Sequence, residues 1–114
     1  MNESFLTVVE TSSFTRSAEK LLTADEQAEL VLFLASNPNG GDEIQGTGGV
    51  RKLRFRAKGK GKSGGVRVIY YYYDMQSPLY LITVYAKAAR ETLTPDQKRV
   101  LTALAAELKR LGKA

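Results

Sequence analysis

The chain of 114 residues contains no cysteine, no histidine and no tryptophan, and only three prolines. Without cysteine there is no disulfide framework, no thiol nucleophile and no cysteine-based metal site. The missing histidine is more restrictive. It removes the side chain most often used as a general base near neutral pH, and it excludes both a Ser-His-Asp triad and histidine-containing metal sites. Acid–base chemistry, if any, must come from Lys, Arg, Tyr, Asp or Glu, or from the substrate itself. No apolar run is long enough to span a bilayer. The opening residues, MNESFLTVVE, lack the charged region and apolar stretch of a secretory signal, so the expected location is the cytoplasm. The segment NPNGGDEIQGTGG, residues 37–49, reads as a loop and has no P-loop pattern.

Acidic charge is missing where basic charge is densest. No Asp or Glu lies between Glu43 and Asp74, whereas residues 51–67, RKLRFRAKGKGKSGGVR, carry Arg51, Lys52, Arg54, Arg56, Lys58, Lys60, Lys62 and Arg67. The whole chain has a formal net charge of +5. Phosphates are held mainly by Lys and Arg, so an unneutralised basic segment suits a polyanion. Nucleic acid fits better than an acidic small molecule. An anionic membrane would call for an amphipathic basic helix, which is absent. A solvated basic loop without a dedicated partner is the plain alternative.

With 43% apolar and 25% charged residues, the composition is that of an ordinary globular protein, and the length predicts one domain over residues 1–114. Residues 5–10, FLTVVE, predict a first or edge strand. A short helix follows over 14–22, where Thr11, Ser12 and Ser13 can cap its start. Thr23 and Glu26 form a capping-box pattern for a second helix over 24–36, with Gln27, Leu30, Val31, Phe33 and Leu34 toward the core. Three strands come next, over 50–56, 66–74 and 79–87, the last two as an antiparallel hairpin. Thr94 and Pro95 start a final helix, with Leu101, Leu104, Leu108 and Leu111 on one face. The predicted fold class is α+β: a mainly antiparallel sheet of about four strands, two N-terminal helices and one C-terminal helix.

Strand alternation sorts the polar residues. On one face of 66–74 lie Val66, Val68, Tyr70 and Tyr72. Arg67, Ile69, Tyr71 and Tyr73 lie on the other. On 79–87, Tyr80, Ile82, Val84 and Ala86 are assigned to the core, with Leu81, Thr83, Tyr85 and Lys87 opposite. If the helices cover the first face, Lys52, Arg54, Arg67, Tyr71, Tyr85 and Lys87 share an open, basic, aromatic-bearing surface. Such a surface suits RNA, whose bases stack on Tyr or Arg while its phosphates meet Lys and Arg. Leu79, Leu81 and Ile69 are expected to be uncovered, as a landing place for an acidic partner segment, unless the last helix covers them.

These residues resemble the RelE/ParE superfamily of bacterial toxins, and more closely the HigB-type, RelE-family toxins of type II toxin–antitoxin systems. The likeness rests on GTGGVRKLRF (46–55), GKGKSGGVRVIYYY (59–72), PLYLITVYAK (78–87) and LTPDQK (93–98), and covers residues 5–111. It implies a RelE-like fold and a metal-independent, cofactor-free endoribonuclease. Such a toxin cleaves mRNA in the ribosomal A site, where ribosomal RNA is also contacted. It also implies a cognate antitoxin, through which the complex would reach operator DNA. The Gly-Val-Arg position carries over as Arg67, the basic residue ending the last strand as Lys87, and the basic strand before the loop as Lys52 and Arg54. A C-terminal tyrosine used as base in some relatives has no counterpart, since no Tyr follows Tyr85.

The expected catalytic set is therefore Arg67 and Lys87 to neutralise phosphoryl charge, Lys52 as acid or base, and Tyr85 to stack on a base or donate a proton. Arg51, Arg54, Arg56, Lys58, Lys60, Lys62 and Tyr71 are the expected RNA contacts. A ParE-like gyrase inhibitor and a non-toxic RNA-binding regulator are the other readings.

Overall fold

A computed structural model describes residues 6–57, 65–87 and 93–112. The chain runs β1 (Val8–Glu10), α1 (Ser12–Leu21), α2 (Ala24–Ser36), β2 (Asp42–Glu43), β3 (Val50–Phe55), β4 (Val66–Tyr71), β5 (Leu79–Ala86) and α3 (Pro95–Gly112). The five strands form one sheet in the order β1-β5-β4-β3-β2. β2–β3, β3–β4 and β4–β5 pair antiparallel, while β1 pairs parallel with β5, so the sheet is mixed.

The helix starts form where the capping chemistry requires. The Thr23 hydroxyl accepts the Glu26 amide at 3.1 Å, and the Glu26 carboxylate accepts the Thr23 amide at 2.9 Å. Thr94 and Gln97 repeat that reciprocal pattern at the head of α3, at 2.8 and 3.1 Å. Thr11 caps α1 by accepting the Phe14 amide. Its hydroxyl hydrogen is shared between the carbonyls of Leu81 and Ile82, at 2.9 and 3.0 Å, which fastens α1 to the middle of β5.

Two apolar layers sandwich the sheet. On one face, Phe14, Ala18, Leu30 and Leu34 of α1 and α2 pack on Leu53, Val66, Val68, Tyr70, Leu79, Leu81 and Val84. On the other, Leu101, Ala105 and Leu108 of α3 cover Val50, Ile69, Tyr71, Ile82 and Tyr85. Each fully buried Leu, Val or Phe contributes roughly 1.5–3 kcal/mol relative to exposure, so both layers matter to stability.

Four readings of the sequence need correction. The loop 37–49 holds the short strand β2, making five strands rather than about four; two polar residues beside glycines give no periodic signal. On β5 the alternation breaks, because the register with β4 slips between Ile69 and Tyr70. Tyr80 and Ile82 therefore join the α3 layer, while Leu79, Leu81 and Val84 join the α1/α2 layer. The expected uncovered patch is closed: Leu79 and Leu81 are buried under the helical pair, and Ile69 is buried because α3 covers its face. Phe33 and Leu111 also leave the core faces assigned to them and are exposed.

Candidate functional site: a basic cleft on the sheet

The α3 side of the sheet is only partly covered. Lys52 and Arg54 on β3 alternate with Leu53 and Phe55, which pack into the α1/α2 layer, so the two cations point to the opposite face. On β4, Arg67 lies between Val66 and Val68 of that same layer and takes the cation face as well. The register then aligns them. Arg54 faces Arg67 across β3–β4, and Arg67 faces Tyr85 across β4–β5; in the next row Lys52 faces Ile69, which faces Thr83. Lys87 follows the end of β5, and its amide donates to the Gly65 carbonyl at 3.3 Å.

Gly65 makes that junction possible. Its φ is +78°, and a Cβ there would lie 2.7 Å from the Phe55 carbonyl oxygen. A side chain would push β3 and β4 apart at the point where Arg67 and Lys87 are brought side by side.

The result is an open cleft of about 710 Å³ lined by Lys52, Leu53, Arg54, Arg67 and Lys87 with Gly40 and Asp42. None of its four cations forms an ion pair among the described residues; the pairs Arg99–Asp96 and Arg110–Glu107 lie on α3. Four cations without an ion pair among the described residues, with the Asp42 carboxylate beside them, can hold an anion such as a phosphodiester.

Asp42 was not singled out by sequence reasoning, because it sits in the segment read as a connector. β2 places it opposite Lys52. A latch behind the cleft fixes it there. The Tyr70 hydroxyl accepts the Gly41 amide at 2.8 Å and donates to the Pro38 carbonyl at 2.8 Å, and Arg51 Nη1 donates to the Gly41 carbonyl at 2.7 Å. Burial raises the ionisation of Tyr70 above the ordinary tyrosine value, against the lowering by the Gly41 bond and by Arg51, so the hydroxyl keeps its proton for Pro38. Gly41 can carry no side chain, since a Cβ would stand 2.8 Å from the Lys52 carbonyl and 2.9 Å from the Tyr70 ring.

Of the expected site residues, Arg67, Lys87, Lys52 and Arg54 come together in the cleft. Arg51 instead turns to the other side of β3, half-buried, and is spent on the Gly41 carbonyl. Tyr71 is 1% exposed beneath α3 and offers no ring to a base. Tyr85 is also buried, its hydroxyl oxygen is out of solvent, and it does not line the cleft. Arg56 is exposed beyond the end of β3 and does not line the cleft. Lys58, Lys60 and Lys62 lie outside the described residues. Among the described residues no group of His, Cys, Asp or Glu can hold a metal ion, and no helix is long and apolar enough to cross a membrane.

A family model described as the RelE toxin of the RelE/RelB toxin–antitoxin system matches residues 6–114. The chain belongs to the RelE toxin family. The fold agrees with that of a solved structure of the E. coli toxin RelE, a double arginine-to-alanine variant in the free state. The match has a TM-score of 0.55 and 17% identity, and covers 77% of this chain and 90% of that one. This RelE-family chain is thus the toxin component of a toxin–antitoxin pair, and an antitoxin is the partner its family implies.

Proposed function

We propose that this RelE-family toxin is an endoribonuclease that cleaves mRNA on the ribosome and so inhibits translation. The observation that supports this most is the cleft itself. Lys52, Arg54, Arg67 and Lys87 line one open space, and none of them forms an ion pair among the described residues. A toxin that only docked on a protein target would have no need of an open cleft lined by four cations.

The reaction this cleft suits is in-line attack by an RNA 2′-OH on the adjacent phosphorus. The P–O2′ bond forms and the P–O5′ bond breaks, leaving a 2′,3′-cyclic phosphate and a 5′-hydroxyl. Arg67 and Lys87 meet the charge that builds on the non-bridging oxygens, where preorganised cations act most strongly. With no histidine, the proton transfers fall to the two groups facing each other across β2–β3. A carboxylate accepts and an ammonium donates. In our reading Asp42 therefore takes the proton from the 2′-OH, and Lys52 supplies one to the departing 5′-oxygen. Tyr85, buried under α3 and paired with Arg67 across the strands, takes no part in this reading.

The test is cleavage of a defined mRNA by the purified toxin on programmed ribosomes. Asp42→Asn and Lys52→Met should each slow cleavage by about 100-fold or more, the usual worth of positioned acid–base groups. Full activity in Asp42→Asn would remove Asp42 from the mechanism. Cleavage of free mRNA as fast as ribosome-bound mRNA would overturn the ribosome dependence.

A further inference from the structure

β2 carries Asp42 to the cleft, yet little in β2 itself decides which of its residues faces there. It is an edge strand of two residues, both exposed, pairing with β3 at Asp42–Lys52 and Glu43–Arg51. A strand that buries neither side specifies its register weakly, and a slip of one residue turns each side chain to the opposite face. Such a slip would turn Asp42 away from Lys52 and bring its neighbour Glu43 to the cleft face instead. At the far end Ile44 anchors the chain: its amide donates to the Val50 carbonyl at 2.8 Å, and its side chain packs on the α3 layer. At the near end stand Gly40 and Gly41, which have no side chain to anchor. There the main chain itself is held from both sides. The Tyr70 hydroxyl accepts the Gly41 amide at 2.8 Å, and Arg51 Nη1 donates to the Gly41 carbonyl at 2.7 Å.

We propose that Arg51 is a positioning residue for RNA cleavage: by holding the Gly41 carbonyl, it keeps β2 in the register that presents Asp42 to the cleft. The inference rests on the reading of Asp42 as the base in that reaction, and adds what sets its place. Three observations carry it. Arg51 lies on the face of β3 opposite to Lys52 and Arg54 and does not line the cleft, so it is not placed to meet a phosphate there. Glu43 sits directly across the strands from Arg51, yet the two form no ion pair among the described residues; the guanidinium passes the carboxylate and binds main chain instead. Its Nε is buried without a hydrogen-bond partner among the described residues, a desolvation that the Gly41 bond has to offset. A charged donor holds a carbonyl more firmly than a neutral one does. The carbonyl it holds belongs to the peptide bond that leads into Asp42, so loss of that hold is felt at Asp42 first. Tyr70 is the second arm of the same clamp.

The experiment is a double-mutant cycle on cleavage of a defined mRNA by the full chain on programmed ribosomes. It measures kcat and KM for the wild type, Arg51→Met, Asp42→Asn and the double variant. Arg51→Met should lower kcat by about 10- to 100-fold, the cost of a displaced reacting group, and leave KM within about two-fold. In the Asp42→Asn background the same change should lower kcat by less than about two-fold, because no carboxylate is left to position. The salt slope of single-stranded RNA binding should stay at the wild-type value, where a lost phosphate contact would reduce it by about 0.7. Arg51→Lys, which keeps the charge and a donor, should recover part of the lost kcat. An unchanged kcat in Arg51→Met, a raised KM with a reduced salt slope, or the same fold-loss with and without Asp42 would each overturn the proposal. Tyr70→Phe releases the same peptide from its other side and should show the same dependence on Asp42; it carries the test if Arg51→Met does not fold by circular dichroism. Slow cleavage by Asp42→Asn with a full further loss from Arg51→Met sinks the positioning role alone. Full activity in Asp42→Asn removes the base, and the positioning role with it.

Discussion

Two adjacent tyrosines should respond in opposite ways to the same one-atom deletion. Tyr70 and Tyr71 are both fully buried and lie on opposite faces of β4. The Tyr70 hydroxyl makes two hydrogen bonds, to the Gly41 amide and the Pro38 carbonyl, each 2.8 Å long. The Tyr71 hydroxyl is buried with no hydrogen-bond partner among the described residues. A typical hydrogen bond contributes about 0.5–1.5 kcal/mol net, and stranding a buried donor costs more than the bond alone. Gly41 is itself buried, so Tyr70→Phe leaves its amide stranded. The expected loss is about 2 kcal/mol, a substantial part of the roughly 5–15 kcal/mol of an ordinary domain. Tyr71→Phe removes a polar atom that gains nothing from being buried, so it should be neutral or stabilise by up to about 1 kcal/mol. Urea denaturation followed by circular dichroism suits a chain without tryptophan. With a slope of about 1–3 kcal/mol/M, the Tyr70 variant should lose roughly 1 M in midpoint while the Tyr71 variant holds or gains. Tyr70→Phe should also depress activity beyond its stability effect, because the latch holds Asp42 in the cleft. Equal losses from the two variants would refute this account of the latch.

Gly65→Ala forces a positive φ on a residue with a Cβ and drives that atom against the Phe55 carbonyl. A cost of at least about 1–2 kcal/mol is expected by denaturation, with a larger loss of activity because Lys87 is anchored on Gly65. Alkaline pH should destabilise the fold. Burial raises the ionisation of both Tyr70 and Tyr71 above 10, so the native chain keeps protons that the unfolded chain has lost. Their contribution is intact below about pH 10 and lost as pH rises toward the native values, at up to roughly 1.4 kcal/mol per pH unit per tyrosine. Denaturation at pH 8, 10 and 11 measures this, and Tyr71→Phe should flatten the decline. Finally, Arg54→Ala should weaken single-stranded RNA binding evenly across sequences and reduce the slope of log affinity against log salt by about 0.7; an unchanged slope would take Arg54 off the phosphate path.

What the sequence could reveal depended on how regular the local pattern is. α2 was legible to the residue because its start is written twice, in the Thr23–Glu26 box and in the run of helix formers behind it. β3 and β4 were legible because strict alternation separates Leu53, Val66 and Val68 from Lys52, Arg54 and Arg67. That same alternation brought out three cleft residues, Lys52, Arg54 and Arg67. It failed on β5, where a bulge reverses the phase midway and no composition signal marks it. It also could not show how far α3 reaches across the second face, and so Tyr71 and Tyr85 were read as open when they are enclosed. Arg51 carried the same charge as its neighbours, and only the carbonyl of Gly41, ten residues away, distinguishes it as a structural group. Asp42 stayed hidden because a two-residue strand is defined by its partner, not by its own sequence.

The central claim is that cations gathered across β3, β4 and β5 cut mRNA during translation. Induced expression in bacteria, followed by primer extension on a translated message, tests it most directly. The wild-type chain should produce cleavages within codons that vanish when translation of that message is blocked, and Arg67→Ala with Lys87→Ala should abolish them while the protein stays folded by circular dichroism. Growth arrest with intact mRNA, or undiminished cleavage by the double variant, would contradict the account.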